Sequence, residues 1–139
     1  MQIHRGRLID HIQLVVRDLD ASARFYAAVF GALGIPLGGK GHKHFWYDEL
    51  FVSTADSKAA RGELTGRAHL AFAAADRETV DRFHRLALAA GGTDHGAPGE
   101  RPYHPAYYAA FVLDPDGNNI EAVHHGPAQR SADSIVITF

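Results

Sequence analysis

Histidine is the residue type with which this chain is best equipped to do chemistry. The sequence contains ten histidines and no cysteine. Thiolate ligands, disulfides and thiol nucleophiles are therefore excluded, and a transition-metal site has to use imidazole and carboxylate side chains. Two imidazoles and one carboxylate with open coordination positions are typical of iron(II) sites. The same ligand set also suits manganese, nickel, cobalt or zinc.

Three residues, His11, His69 and Glu121, are the candidates for such a site. Each lies in a short segment whose apolar pattern predicts a β-strand. Successive strand side chains alternate between two faces, and the apolar neighbours of each candidate occupy the face that a helix would cover. All three candidates are therefore predicted to point away from the helices, where together they would bind one divalent metal ion.

An internal repeat relates the two histidines. Residues 11–35 align without a gap with residues 69–93. The alignment matches His11 with His69, Asp18 with Asp76, Arg24 with Arg82, Phe25 with Phe83, and Gly34 with Gly92. Because the two segments also share a predicted strand–helix boundary, the chain is predicted to contain two similar modules.

Each copy of the repeat is predicted to fold as a strand, a turn and a helix. The predicted strands span residues 8–16 and 68–74, and an apolar stripe follows each of them at helical spacing. An aspartate can cap each helix and a glycine can end it. The caps are Asp18 or Asp20 and Asp76, and the glycines are Gly34 and Gly91–Gly92.

A glycine-rich connection and a predicted hairpin follow each helix. The hairpins lie within residues 44–55 and 107–125, and the second contains the turn signal Asp-Pro-Asp-Gly at 114–117. Each half is thus β-α-β-β, with one further strand expected from the connection. Residues 56–67 are predicted to link the halves. Residues 126–134 are predicted to be a loose tail before a strand-like end, SIVITF.

Three segments, LIDHIQLVVRDLDASARFY, RAHLAFAAAD and FVLDPDGNNIEAV, resemble the vicinal oxygen chelate superfamily. This superfamily includes glyoxalase I, extradiol dioxygenases, fosfomycin-resistance thiol transferases, methylmalonyl-CoA epimerase and bleomycin-resistance proteins. The resemblance implies an α+β fold in which two βαβββ modules, about 8–56 and 66–125, form a curved, mostly antiparallel sheet around a metal cavity. One domain would span residues 1–125, with a C-terminal tail at 126–139. The family ligands map onto His11, His69 and Glu121.

Two departures prevent a match to one subfamily. Glyoxalase I-like enzymes take a fourth ligand from the strand that here reads ELFVSTA, whose middle holds Val52 and Ser53. Extradiol dioxygenases and fosfomycin transferases carry a tyrosine where this chain has Phe111.

The leading hypothesis is a metal-dependent lyase, isomerase or transferase that acts on a small oxygen-chelating substrate. Gln13, His104 and Tyr108 are the candidate catalytic residues, because Gln13 would face the metal and the other two can move a proton. The candidates for the cavity wall are Trp46, Tyr103, His104, Tyr107 and Tyr108. Two alternatives are an iron(II) extradiol-type dioxygenase and a metal-free drug-binding protein of the bleomycin-resistance type.

The composition of the chain limits the kinds of partner that it is expected to bind. The formal net charge of the 139 residues is −2, so no basic surface for nucleic acid is expected. No apolar run approaches the roughly 20 residues of a membrane span, and residues 1–10 lack the apolar stretch of a signal peptide. A cytoplasmic protein with a small-molecule substrate is expected. The resemblance adds that a homodimer is expected, in which a site is built within one chain or from two.

Overall fold

The structure is a computed structural model that describes residues 2–58, 60 and 62–139. In chain order its elements are β1 (Gln2–Arg5), β2 (Ile12–Val16), α1 (Leu19–Leu33), β3 (Gly39–Lys40), β4 (His44–Tyr47), β5 (Leu50–Thr54), β6 (His69–Ala73), α2 (Arg77–Ala89), β7 (Thr93–Glu100), β8 (Tyr108–Leu113), β9 (Asn119–His124) and β10 (Ile135–Thr138). The order β-α-β-β-β occurs twice, once in β2–β5 with α1 and once in β6–β9 with α2. The predicted α+β class with two βαβββ modules is therefore confirmed.

Each module forms a four-stranded mixed sheet, and the two sheets have equivalent strand orders. These orders are β2-β5-β4-β3 and β6-β9-β8-β7. In each sheet the first strand of the module pairs in parallel with the last, and the other neighbours pair antiparallel. The strand-like end of the sequence does form a strand, since β10 pairs antiparallel with β1.

Two compact units divide the chain. The first contains Met1–Leu19, Ile35–Thr65 and Gln129–Phe139, and therefore holds the first sheet and the β1–β10 pair. The second contains Asp20–Gly34 and Gly66–Ala128, and therefore holds nearly all of α1 together with α2 and the second sheet. The predicted division into modules 8–56 and 66–125, with a tail after residue 125, stays a prediction.

The helix boundaries follow the predicted signals. The side chain of Asp76 accepts a hydrogen bond from the Thr79 N–H at 2.7 Å, which satisfies one free donor of the first turn of α2. A hydrogen bond with the Thr79 side chain, together with this one to the Thr79 N–H, holds the pKa of the Asp76 carboxyl below its usual value. Gly34 and Gly91 follow the two helices with φ of +74° and +101°, a left-handed conformation that glycine adopts without steric cost.

The Asp-Pro-Asp-Gly turn of the second unit is fixed by a buried hydrogen-bond network. Asp114 accepts from the Tyr26 hydroxyl of α1 at 2.6 Å, and from the backbone and side-chain nitrogens of Asn118 at 2.8 and 2.9 Å. Burial and the neighbouring Asp114 raise the pKa of Tyr26 well above its usual value, so its hydroxyl remains a donor. Asn118 also accepts from the Ala68 N–H at 2.9 Å. The network therefore fixes the starts of both β6 and β9.

Candidate metal site

The second unit brings two of the predicted ligands together. Strands β6 and β9 pair in parallel, with His69 opposite Asn119 and Ala71 opposite Glu121. The Nε2 atom of His69 lies 3.1 Å from Oε1 of Glu121. The His69 side chain is 51% exposed and the Glu121 side chain only 3%, so the carboxylate forms the floor of the site and the imidazole its accessible rim.

The hydrogen bonds of His69 determine which of its nitrogens is available. Its Nδ1 lies 2.9 Å from the carbonyl oxygen of Asn119, which can only accept, so Nδ1 carries the proton. In a neutral ring Nε2 then presents a lone pair toward Glu121. Two facing lone pairs repel each other unless a proton or a metal cation lies between them.

The spacing of these two atoms fits metal ligands. Nitrogen and oxygen ligands at about 2.1 Å from an ion and at a right angle to each other lie about 3.0 Å apart. The observed separation of 3.1 Å agrees with this value. A backbone carbonyl that orients the second nitrogen of a histidine is also the usual support of a metal-binding imidazole. His69 and Glu121 therefore fit a divalent cation in both geometry and donor chemistry.

The second oxygen of Glu121 is held by Tyr107, whose hydroxyl donates to Oε2 in a short hydrogen bond. Burial and this hydrogen bond to Glu121 raise the pKa of Tyr107 to about 12, so the hydroxyl stays protonated at neutral pH. Phe111 lies opposite Glu121 in the sheet and has no hydroxyl to offer. Tyr107, which the sequence suggested only as a wall residue, thus provides the hydrogen bond that Phe111 cannot.

His104 packs against Tyr107, which is the hydrogen-bond partner of Glu121. Its Nδ1 donates to the carbonyl oxygen of Pro105 at 2.8 Å, and its Nε2 lies at hydrogen-bond distance, 2.8 Å, from Nδ1 of His125. Both imidazoles pack edge-on against the ring of Tyr107, with centroids 5.2 and 5.3 Å from it. His104 is therefore connected to Glu121 through Tyr107.

Tyr108 occupies the opposite face of the sheet. Its hydroxyl donates to Asp81 of α2 at 2.6 Å, and the Arg77 guanidinium lies 4.6 Å from its ring centroid. The hydrogen bond to Asp81 raises the pKa of Tyr108. Strand alternation explains this placement, because Phe111 shares the face of Glu121 and Tyr108 is an odd number of residues away. The structure does not bring Tyr108 to the His69–Glu121 pair.

His11 and Gln13 belong to the first unit. Nδ1 of His11 lies 2.7 Å from the Asp10 carboxylate, so His11, like His69, has Nε2 as its remaining nitrogen. The amide nitrogen of Gln13 donates to Ser53 Oγ at 2.8 Å, which leaves its carbonyl oxygen as an acceptor. Across residues 2–58, 60 and 62–139, no group of three or more His, Asp or Glu side chains is gathered closely enough to hold a metal ion.

An open depression of about 400 Å³ lies beside His69. Its lining includes the cationic side chain of Arg67 together with His95 and Asn119. The His69 ring thus borders an open space on the protein surface, and the positive charge of Arg67 in its lining attracts anionic groups.

A comparison with models of protein families identifies the family to which the chain belongs. The model of the glyoxalase/bleomycin resistance protein/dioxygenase superfamily matches residues 8–122, which include all three predicted ligands. The chain belongs to this superfamily. No curated protein matches the chain.

Solved structures agree with this membership of the glyoxalase/bleomycin resistance/dioxygenase superfamily. A glyoxalase/bleomycin resistance protein from Albidiferax ferrireducens T118 is 32% identical, with a TM-score of 0.70 over 84% of this chain and 98% of that one. A family enzyme from Burkholderia phytofirmans PsJN is 26% identical, with a TM-score of 0.65 over 82% and 95%. A glyoxalase-related enzyme from Fulvimarina pelagi is 24% identical, with a TM-score of 0.72 over 95% and 98%, and so shows the shared fold alone. Within the described part of the chain, neither helix has the length and apolar character needed to cross a membrane.

Proposed function

We propose that the chain is a divalent-metal-dependent enzyme that acts on a small molecule with two neighbouring oxygens, by lyase, isomerase or transferase chemistry. The observation that supports this is the 3.1 Å separation of His69 Nε2 and Glu121 Oε1, with His69 oriented by the Asn119 carbonyl. Membership of a superfamily that includes glyoxalases and dioxygenases is consistent with the proposal.

The proposed third ligand is His11. It is the repeat equivalent of His69, and Asp10 supports its Nδ1 as the Asn119 carbonyl supports that of His69. A carboxylate partner on a ligand histidine fixes the ring and strengthens the other nitrogen as a donor. His11 would join the pair either from the same chain or from a second copy in a homodimer. The ion would be iron, manganese, nickel, cobalt or zinc.

A bound cation would act as a Lewis acid that stabilises negative charge on the substrate oxygens. The residues of the chain have separate tasks around it. Tyr107 keeps Oε2 of Glu121 occupied, so that one carboxylate oxygen faces His69. Gln13, oriented by Ser53, offers its carbonyl oxygen to a substrate hydroxyl. His104, whose Nε2 is hydrogen bonded to Nδ1 of His125, would take a proton from the substrate and return it later in the reaction.

Metal titration tests the proposal directly. Protein purified without a histidine tag and stripped with a chelator is expected to bind about one nickel or cobalt ion per chain. A chain with His84→Ala serves as the control, because His84 of α2 pairs with Asp94, is not a proposed ligand and should not affect binding. Stoichiometry measured by calorimetry and elemental analysis gives the result. Binding of far less than one ion per chain would contradict the proposal.

The Tyr107 hydroxyl is expected to support metal binding. Tyr107→Phe removes the donor to Oε2 and lets Glu121 rotate, so metal affinity should fall about 10- to 100-fold, as is typical when the partner of a ligand is lost. Tyr108→Phe is a matched control, because its hydroxyl binds Asp81 on the other face of the sheet. Competition with a chromophoric chelator measures the affinities. Equal losses in both variants would show that Tyr107 has no specific role.

A further inference from the structure

Three aromatic side chains of the first unit have no role in the proposed metal site. His44 and Trp46 of β4 and Phe51 of β5, here called the aromatic triplet, have ring planes within 16–22° of parallel. Their centroids lie 5.1–6.2 Å apart, which is the range of offset stacking. All three are only partly buried. On the other face of the same strands Phe45 is 4% and Val52 0% exposed, so the triplet is distinct from the core.

Glycines of β3 and its flanks determine how the triplet lies. A Cβ on Gly38 would be 2.3 Å from Nε1 of Trp46, and one on Gly39 would be 2.2 Å from its Cη2. The indole therefore packs directly on the backbone of the neighbouring strand, in space that any other residue would fill. A Cβ on Gly41 would likewise meet His44 Cε1 at 2.6 Å. The close approach of backbone and rings fixes the orientation of the triplet before any ligand arrives.

The triplet shares a sheet face with a predicted catalytic residue. Across the first sheet Gln13 lies opposite Phe51, Phe51 opposite Trp46, and Trp46 opposite Gly39. Residues opposite each other point to the same side of a sheet. The Gln13 amide, with its free carbonyl oxygen, therefore stands directly beside a preformed aromatic surface.

We propose that the aromatic triplet is a binding site for a planar, conjugated ligand that carries a hydroxyl at the edge of its flat ring. This site lies within the first unit and does not depend on the proposed metal site. A flat ligand extends the offset stack and covers its half-exposed rings, whereas an aliphatic ligand of equal size gains contact area without the ring–ring interaction. Gln13 would then meet a hydroxyl at the edge of the stacked ring.

The inference can be tested on the metal-free protein. Catechol and trans-cyclohexane-1,2-diol both carry two neighbouring oxygens on a six-carbon ring, and only catechol is flat. Trp46 is the only tryptophan of the chain, so its fluorescence reports contact with the triplet. Ligand-observed NMR gives both affinities. We expect saturable quenching by catechol, and an affinity for catechol about three- to tenfold higher than for the diol.

Substitutions at Phe51 separate stacking from mere apolar contact. Phe51→Leu should lower catechol affinity about three- to tenfold, whereas Phe51→Tyr should retain it, because both keep a large side chain and only one keeps the ring. Phe139→Leu is the control, since Phe139 is 75% exposed and outside the triplet. Melting temperatures confirm that the variants fold. Equal affinity for the two probes, or no effect of Phe51→Leu, would overturn the inference.

Discussion

Glu121→Gln is expected to abolish high-affinity metal binding and to leave the metal-free protein at least as stable. An amide has no negative charge and replaces the ligand oxygen of a nearly fully buried carboxylate. Loss of a residue that merely orients a ligand already costs about 10- to 100-fold in affinity, so loss of the ligand itself should cost more than about 100-fold. Activity on any substrate should fall with the bound metal.

The stability of the metal-free variant follows from the hydrogen-bond pattern. Tyr107 donates to one oxygen of Glu121, and His69 directs a lone pair toward the other. Glutamine satisfies both neighbours, because its carbonyl accepts from Tyr107 and its NH₂ group donates to His69 Nε2. The carboxylate can satisfy the second neighbour only through a shared proton or metal cation. We therefore expect the free energy of unfolding to stay equal or to rise by on the order of 1 kcal/mol.

Denaturant unfolding and metal titration of the same preparations check both parts. Glu100→Gln is the matched control, because Glu100 makes an exposed ion pair with Arg77 away from the site. It should change neither quantity noticeably. If Glu121→Gln retained metal affinity within a few-fold of the unsubstituted chain, the carboxylate would not be a ligand. A large loss of stability would instead show that Glu121 serves the fold.

His11→Ala is expected to weaken metal binding by more than about 100-fold, because two remaining protein ligands grip an ion much less tightly than three. Calorimetric titration measures the loss, with His4→Ala as the control. The ring of His4 in β1 bonds Ser134 and has no assigned role in the site. Unchanged affinity in His11→Ala would remove His11 from the site and leave a site based on His69 and Glu121.

A mixing experiment with the same variant shows which chain supplies His11. When His11→Ala and Glu121→Gln chains are unfolded together and refolded, neither homodimer contains a complete ligand set. If each site takes His11 from the second copy, a mixed dimer has one complete site, and about one quarter of all sites should bind metal again. If each site lies within one chain, mixing restores none.

The sequence predicted the two modules and the juxtaposition of two candidate ligands, because both depend on short-range patterns. Strand alternation placed His69 and Glu121 on one face, and the parallel pairing of β6 with β9 puts them in contact. The sequence also predicted that Asp76 caps α2 and that Gly34 ends α1. Each of these roles is filled by a single residue of a characteristic type. The domain boundaries and the role of each site residue remain predictions.

The choice between Tyr107 and Tyr108 could not be read from the sequence. Two adjacent tyrosines at the start of a strand point to opposite faces, and the face is fixed only by the pairing register with β9. Tyr107 follows a loop in which Ala106 has a φ of +66°. Residues other than glycine rarely adopt this left-handed conformation, so the sequence does not predict it. The contact between Tyr107 and Glu121 spans 14 residues of chain and depends on this loop.

The pairing of strands that lie far apart in the chain could not be predicted from the sequence, for a related reason. The pattern SIVITF identified a strand-like segment, but a strand pattern contains no information about its partner. The partner is β1 at the other end of the sequence, where His4 and Ser134 are hydrogen bonded at 2.7 Å. Likewise, a helical stripe in α1 did not reveal that residues 20–34 cluster with residues 66–128.

The β1–β10 ribbon brings Gln2 opposite Thr138, which makes the chain nearly a closed loop. A short glycine–serine linker would join these ends, and new ends could then be opened between Glu63 and Leu64, between the two halves. Such a circular permutant would carry the second half first and the first half last, with every strand pair in place. The order in which the halves leave the ribosome is thus separable from the architecture that they form.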